Sequence, residues 1–138
     1  MGNRAVITTV KGWENNGIGI YLHWNGGRDS VEAFLKYCEL REFRDEDYGM
    51  ARLTQVIANF LGGGLSIGVD TIDHLDTDNG DNGVYIIDDR EWKIVDRKYF
   101  QGSEQNEYNM EDMLRLIDER QPEKDRIYKD AMTKQNRG

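Results

Sequence analysis

One cysteine, one proline and two histidines in 138 residues leave little material for the commonest site chemistries. The lone Cys38 cannot close an internal disulfide, which fits a reducing compartment, and the cytoplasm is the expected location. One Cys and two His fall short of the four ligands that a closed zinc site requires. The chain has no apolar run of about twenty residues, and Met1–Val10 has no basic stretch leading into an apolar one. Neither a membrane span nor a secretory leader is therefore expected. The length suits a single core, expected over residues 1–121, followed by a polar extension over 122–138, helical or frayed.

Positive charge is scarce as well. Lys and Arg number 18 against 26 Asp and Glu, a formal net charge of −8. The deficit is concentrated. Asp70, Asp73, Asp76, Asp78, Asp81, Asp88, Asp89 and Glu91 are opposed only by Arg90, so that window carries seven net negative charges and the remainder is nearly neutral. Such a field repels phosphate backbones and attracts cationic surfaces. Direct binding of DNA or RNA through this stretch is not expected. A solvated loop that keeps the chain soluble is the bland explanation of the same charges.

What is present folds into recognisable periods. Arg4–Val10 alternates as a strand, Lys11–Gly17 is turn-like, and Ile18–Trp24 alternates again, suggesting a hairpin. Asn25-Gly26-Gly27 ends the second strand. A helix to about Phe43 follows, with Asp29 and Glu32 at capping-box spacing and Val31, Phe34, Leu35 and Cys38 on one apolar stripe. After Arg41–Asp47 and Gly49, a second helix is expected over Met50–Leu61, stopped by Gly62-Gly63-Gly64. Leu65–Asp70 reads as a strand, Asp70–Gly83 as an acidic loop, and Val84–Ile87 with Trp92–Val95 as a hairpin. Asn109 and Asp112 cap a helix that Pro122 interrupts, before a polar end at Lys134–Gly138. Strands, two helices, strands and a helix make an α+β fold: an antiparallel or mixed sheet of four to five strands with two to three helices packed on it.

No arrangement of nucleophile and base stands out. Cys38 shares its stripe with Phe34 and Leu35, where a thiol is a small hydrophobe. His23 and His74 with nearby aspartates could in principle form a hydrolytic or metal site, but their spacing matches no known pattern. Asp76–Gly83 invites a calcium reading. Counting from Asp76, however, Asp81 stands where an EF-hand needs glycine and Ile87 where it needs glutamate. The expectation is a protein that binds rather than catalyses, with no cofactor and no metal.

Two stretches can bind. Along the acidic loop, Asp73, Asp76, Asp78 and Asp81 offer a row of charge to a basic partner, with Trp92 as an aromatic anchor. Alternatively, Trp24–Ser30 leads a strand through glycines into a helix N-terminus. Gly26 and Gly27 would present backbone N–H groups there, Arg28 would clamp an anion, and Tyr21, His23 and Trp24 would flank a base. A Gly-Lys-Ser/Thr phosphate loop is absent, and Asp29 would oppose an anion. Tyr21 and His23 are the expected exposed pair, unless a second layer of helices covers them.

Gly2–Thr8 (GNRAVIT), Gly19–Tyr37 (GIYLHWNGGRDSVEAFLKY), Tyr48–Ile67 (YGMARLTQVIANFLGGGLSI) and Leu75–Ile87 (LDTDNGDNGVYII) together resemble a family of small proteins carried by phages, prophages and mobile elements of low-GC Gram-positive bacteria. The likeness spans roughly residues 2–120, and it brings no activity that transfers to any residue here. It implies a phage accessory protein in the bacterial cytoplasm. By analogy with small acidic proteins of that origin, the expected function is inhibition of a host defence complex, a CRISPR nuclease or a restriction enzyme, through the acidic surface. The alternative is a sponge for a phosphate-bearing signalling nucleotide at Asn25–Ser30. A homodimer through an exposed sheet edge is the expected form of self-association.

Overall fold

Alternation at Ala5–Thr9 places two different side-chain sets on the two faces of one strand, and both sets are apolar enough to be buried. The computed structural model, which describes residues 2–63, 66–104 and 106–128, puts this strand at the centre of the fold. β1 (Ala5–Thr9), β2 (Ile18–Leu22), β3 (Ile67–Thr71), β4 (Val84–Asp88) and β5 (Lys93–Lys98) form one mixed sheet in the order β3-β2-β1-β4-β5. β1 pairs antiparallel with β2, Ala5 opposite Leu22, and parallel with β4, Val6 opposite Val84. The outer pairs, β2–β3 and β4–β5, are antiparallel. The expected α+β class holds, with the mixed form of the sheet.

The first face carries Ala5, Ile7, Ile20, Leu22, Tyr85 and Ile87 and is covered by helices. These are α2 (Arg28–Leu40), α3 (Glu46–Phe60) and α4 (Met110–Glu119), numbered after a single turn, α1 (Val10–Glu14). The stripes expected from spacing are the ones buried: Val31, Phe34, Leu35 and Cys38 on α2, and Leu53, Val56, Ile57 and Phe60 on α3. Phe34 and Phe60 meet edge-to-face at 5.4 Å, which couples the two stripes. Cys38 has no exposed surface, and burial pushes its thiol far above the usual range, away from the reactive thiolate. Asn109 caps α4 as expected, its side chain accepting from the Asp112 N–H at 2.8 Å.

Local departures have local causes. Val10 is not the end of a strand. Thr9 adopts an extended N-cap, its hydroxyl accepting from Gly12 N–H at 2.9 Å, and the chain turns into α1. Asp29 does not cap α2; Gly27 holds the N-cap, and the Asp29 carboxylate instead accepts from Ser30 N–H and, across the molecule, from Glu107 and Tyr108 N–H. α3 starts four residues before Met50, with Glu46 N–H donating to Asp89 at 2.7 Å. Its Gly49 is therefore not a separator. A Cβ there would strike the Arg44 carbonyl and sit 3.0 Å from the Trp92 ring. Gly62 and Gly63, both at positive φ, end α3 as expected, while Gly64 and Leu65 lie outside the described residues.

The chain stays on the core past residue 121. Ile127 and Tyr128 pack against it, and their N–H groups donate to the buried Asp118. The polar end expected at Lys134–Gly138 lies outside the described residues. Among those described, no helix is long and apolar enough to cross a membrane.

Candidate functional site

On the second face of the sheet, the described residues place only the single turn α1 and the chain after β3. Val6, Val84 and Ile86 are covered by the connection from β3 to β4, whose Ile72 and Leu75 turn inward, with Trp13 and Tyr21 packed alongside. This connection is the acidic stretch, and it is laid across the sheet as a strap. Alternating positions divide its work: Ile72 and Leu75 go down into the apolar layer, whereas Asp73, Asp76 and Asp78 remain exposed. A single turn of 3-10 helix, Ile72–His74, starts the strap, and Ile72 N–H donates to the Gly17 carbonyl.

The far half is held by asparagines. Asn79 is buried; its amide donates to the Asp76 and Gly83 carbonyls at 3.0 and 3.2 Å, and its oxygen accepts from Asp81 and Gly83 N–H at 3.1 and 3.0 Å. Asn82 is buried too, and donates to the Asn3 side chain at 2.6 Å and the Arg4 carbonyl at 3.0 Å. The Asn-Gly pattern that suggested calcium ligands thus builds a turn out of side-chain amides. Among the described residues no three His, Cys, Asp or Glu side chains gather as a cation cage.

Of the four expected partner-binding carboxylates, Asp73, Asp76 and Asp78 are exposed and Asp81 is held by an arginine. Asp81 accepts from Arg4 Nε at 2.8 Å and from Arg4 N–H at 3.2 Å. Arg4 Nη1 also reaches Asp76 at 3.9 Å, although that carboxylate remains 56% exposed. Asp73 is 58% exposed and accepts from Thr71 Oγ1 at 2.6 Å, a bond that holds its carboxyl below the usual range. Asp78 accepts from Gln101 Nε2 at 3.1 Å. Asp70, at the end of β3, is likewise exposed and lowered, chiefly by the N–H of Thr71. The other carboxylates of the window lie elsewhere. Asp88 closes the β4–β5 turn by accepting from Arg90 and Glu91 N–H, and Asp89 serves α3. The negative window is therefore two separate groups divided by the buried strand β4.

Asp81 makes a prediction about acid. Its burial opposes ionisation, but the bonds and charge of Arg4 outweigh it, so the folded carboxyl lies below its ordinary value near 4. A carboxylate lowered by folding stabilises the protein above its unfolded pKa, and that contribution fades as pH falls through the folded value. Asp81→Asn should thus show a shallower loss of melting temperature between about pH 5 and pH 2 than the parent. Parallel melting curves for the two proteins across that range would remove the ion pair from the account.

Trp92 is not a surface anchor. It is 4% exposed, sits at positive φ in the β4–β5 turn, and donates from Nε1 to the Phe43 carbonyl at 3.3 Å. The gap above Gly49 receives its ring, so the residue closes the core between α3 and the sheet. Tyr21 and His23 are half-buried rather than open, and strap rather than helix lies over Tyr21. Tyr21 Oη and His23 Nδ1 are 3.0 Å apart. Trp24 is the exposed aromatic of this group, 44% accessible and edge-on to His23 at 4.8 Å.

The glycine turn before α2 is used internally. Gly26 is buried, donates to the Asn3 carbonyl at 2.8 Å and accepts from Tyr85 Oη at 2.7 Å; a Cβ on it would lie 2.5 Å from the Asn3 carbonyl. Gly27 is buried as the helix cap. Arg28 points along its own helix to Glu32, Nε to Oε1 at 2.6 Å. Tyr21, His23, Trp24, Gly26, Gly27 and Arg28 therefore do not converge on an open cradle.

Two features escaped the periodicity argument because both depend on distant residues. Arg4 and Asp81 are 77 positions apart, and neither carries a local signal of the other. Arg97, on β5, is stacked between Tyr85 at 4.3 Å and Phe100 at 3.9 Å and pairs with Glu104. It ties the segment after β5 to the sheet. Comparison with family models, curated proteins and solved structures finds no match to this chain.

Proposed function

We propose that the chain is a non-catalytic binding protein that docks its acidic strap onto a basic surface of a partner protein. A surface built to hold nucleic acid is the natural target, as in a CRISPR nuclease or a restriction enzyme of a bacterial host, whose function the docked protein would block. One observation carries this reading: Asp73, Asp76 and Asp78 are exposed on a single connection that is pinned underneath by Ile72, Leu75 and Asn79, and the exposed Asp70 stands beside its start at the end of β3. Carboxylates on a pinned backbone lose little freedom on docking, so more of the electrostatic attraction remains as affinity. Trp24 takes the anchoring role expected of Trp92, because it is the ring left accessible beside Tyr21 and His23.

The test is inhibition and binding of guide-loaded CRISPR nucleases and of restriction enzymes at two salt concentrations. For the target, affinity should fall steeply as salt rises. The triple change Asp73→Asn, Asp76→Asn, Asp78→Asn should weaken it about tenfold or more at low salt and flatten the salt dependence. Asp81 is left intact because it serves the fold. Affinity unchanged by the triple substitution would remove the strap as the docking surface.

A further inference from the structure

Positive charge gathers in a cleft formed by the helices, away from the strap. A cleft of about 310 Å³ is lined by Arg41, Phe43, Arg52, Gln55, Gln121 and Lys124, with Val56 and Asp125 completing the wall. Three cations against one carboxylate make this lining net positive by two, in a chain whose total is −8. The cations come from three elements: Arg41 from the C-cap of α2, Arg52 from α3, and Lys124 from the 3-10 turn after α4. No stretch of sequence collects them; only the packing of the three helices does.

Their pairing is incomplete. Arg41 reaches Asp125 only at 3.7 Å, and no hydrogen bond joins the two. Its side chain is 21% exposed, and its guanidinium is bracketed by the rings of Phe43 at 5.1 Å and Tyr37 at 6.0 Å, which fix its direction. Arg52 and Lys124 have no carboxylate within ion-pair distance among the described residues, although acidic side chains are abundant elsewhere. Gln55 is exposed and lines the cleft. Gln121, by contrast, is locked: its amide donates to the Val56 and Ile117 carbonyls, both at 3.1 Å, and its oxygen accepts from Asn59 at 2.9 Å. The cleft has a rigid floor and open donors at its rim.

We infer that this cleft binds a small phosphate-bearing molecule, with Arg41, Arg52 and Lys124 contacting the phosphoryl oxygens. A net charge of two matches a phosphate dianion, and a guanidinium fork suits its geometry. The volume stands at the lower end of the range for small-molecule sites, about 300–1,000 Å³, which admits a mono- or diphosphate on a small body. Phe43 supplies an aromatic surface in the cleft, against which a ring can lie. This site is independent of the strap, and the two can be tested separately.

Thermal melting of the full chain with inorganic phosphate, pyrophosphate, adenosine, AMP and ADP is the direct experiment. The phosphorylated probes should raise the melting temperature, on the order of 10 °C at a hundredfold excess over Kd, and adenosine alone should not. Arg52→Gln and Lys124→Gln, both at exposed positions, should leave the melting temperature without probe unchanged and weaken phosphate binding about tenfold each. A rise with AMP larger than with phosphate would assign a ring contact to Phe43. If no phosphorylated probe shifts the melt, or if both variants respond as the parent does, the cleft is not a phosphate site.

Discussion

Replacing Trp92 by alanine destabilises the protein by about 3–5 kcal/mol, the range for deleting a buried large aromatic side chain. The physical basis is the 4% exposure of the ring and its seat above Gly49, a position where any side chain would collide with the Arg44 carbonyl. Cavity formation adds to the lost burial, because α3, whose Glu46 N–H is held by Asp89 of the β4–β5 turn, cannot collapse into the void. The measurement is urea unfolding of the parent and variant, compared through their midpoints and slopes. A surface anchor would behave differently, since exposed substitutions away from special features stay within about 0.5 kcal/mol. A change that small would return Trp92 to the surface and overturn the packing described for the β4–β5 turn.

A loss of similar size, about 3–5 kcal/mol, is expected for Asp118→Ala. Asp118 has no exposed surface and holds three donors: Tyr37 Oη at 2.6 Å and Ile127 N–H at 2.9 Å on one oxygen, and Tyr128 N–H at 3.1 Å on the other. Alanine removes every acceptor at once and leaves the buried Tyr37 hydroxyl without a partner. Tyr37→Phe takes away a single donor and should cost less, about 1–3 kcal/mol. The two changes share one bond, so the double variant should lose less than the separate losses added together. Chemical denaturation of the four proteins gives the comparison. Strict additivity would show that the hydroxyl and the carboxylate do not depend on each other.

The two positions differ in how readable they were. Trp92 sits amid Asp88, Asp89, Arg90, Glu91 and Lys93, and a tryptophan among charges has the composition of a surface. What buried it was Gly49, 43 residues earlier, which leaves a hole only when α3 and the β4–β5 turn are brought together. Asp118 follows the apolar stripe Met113, Leu114 and Ile117 and reads as a solvent-facing position at the end of an amphipathic helix. Its role depends on Tyr37, 81 residues away. The same distance effect hid Arg4 as the partner of Asp81 and Arg41, Arg52 and Lys124 as the walls of one cleft.

Elements with a strong local period were legible. β1, β2, α2, α3 and α4 follow from alternation or from apolar stripes, and the α4 cap follows from Asn109 and Asp112. Element ends were less so. Thr9 turned the end of a strand into a helix cap through one hydrogen bond, and Gly27 became the cap of α2 while the Asp29 carboxylate accepted from Glu107 and Tyr108, 78 and 79 residues away.

Local chemistry alone thus decided which of the longer segments are helix and which are strand, and that the acidic stretch would be a connection rather than core. Periodicity needs only neighbours in the chain, and a run of aspartates cannot be buried unpaired. Tertiary structure alone decided where the charges act. By laying the connection across the open face of the sheet it exposed Asp73, Asp76 and Asp78, spent Asp81 on Arg4, and moved Asp88 and Asp89 to another turn. Electrostatic and packing energies depend on separation in space, and residues far apart in the chain become neighbours only once the sheet and its helices have closed.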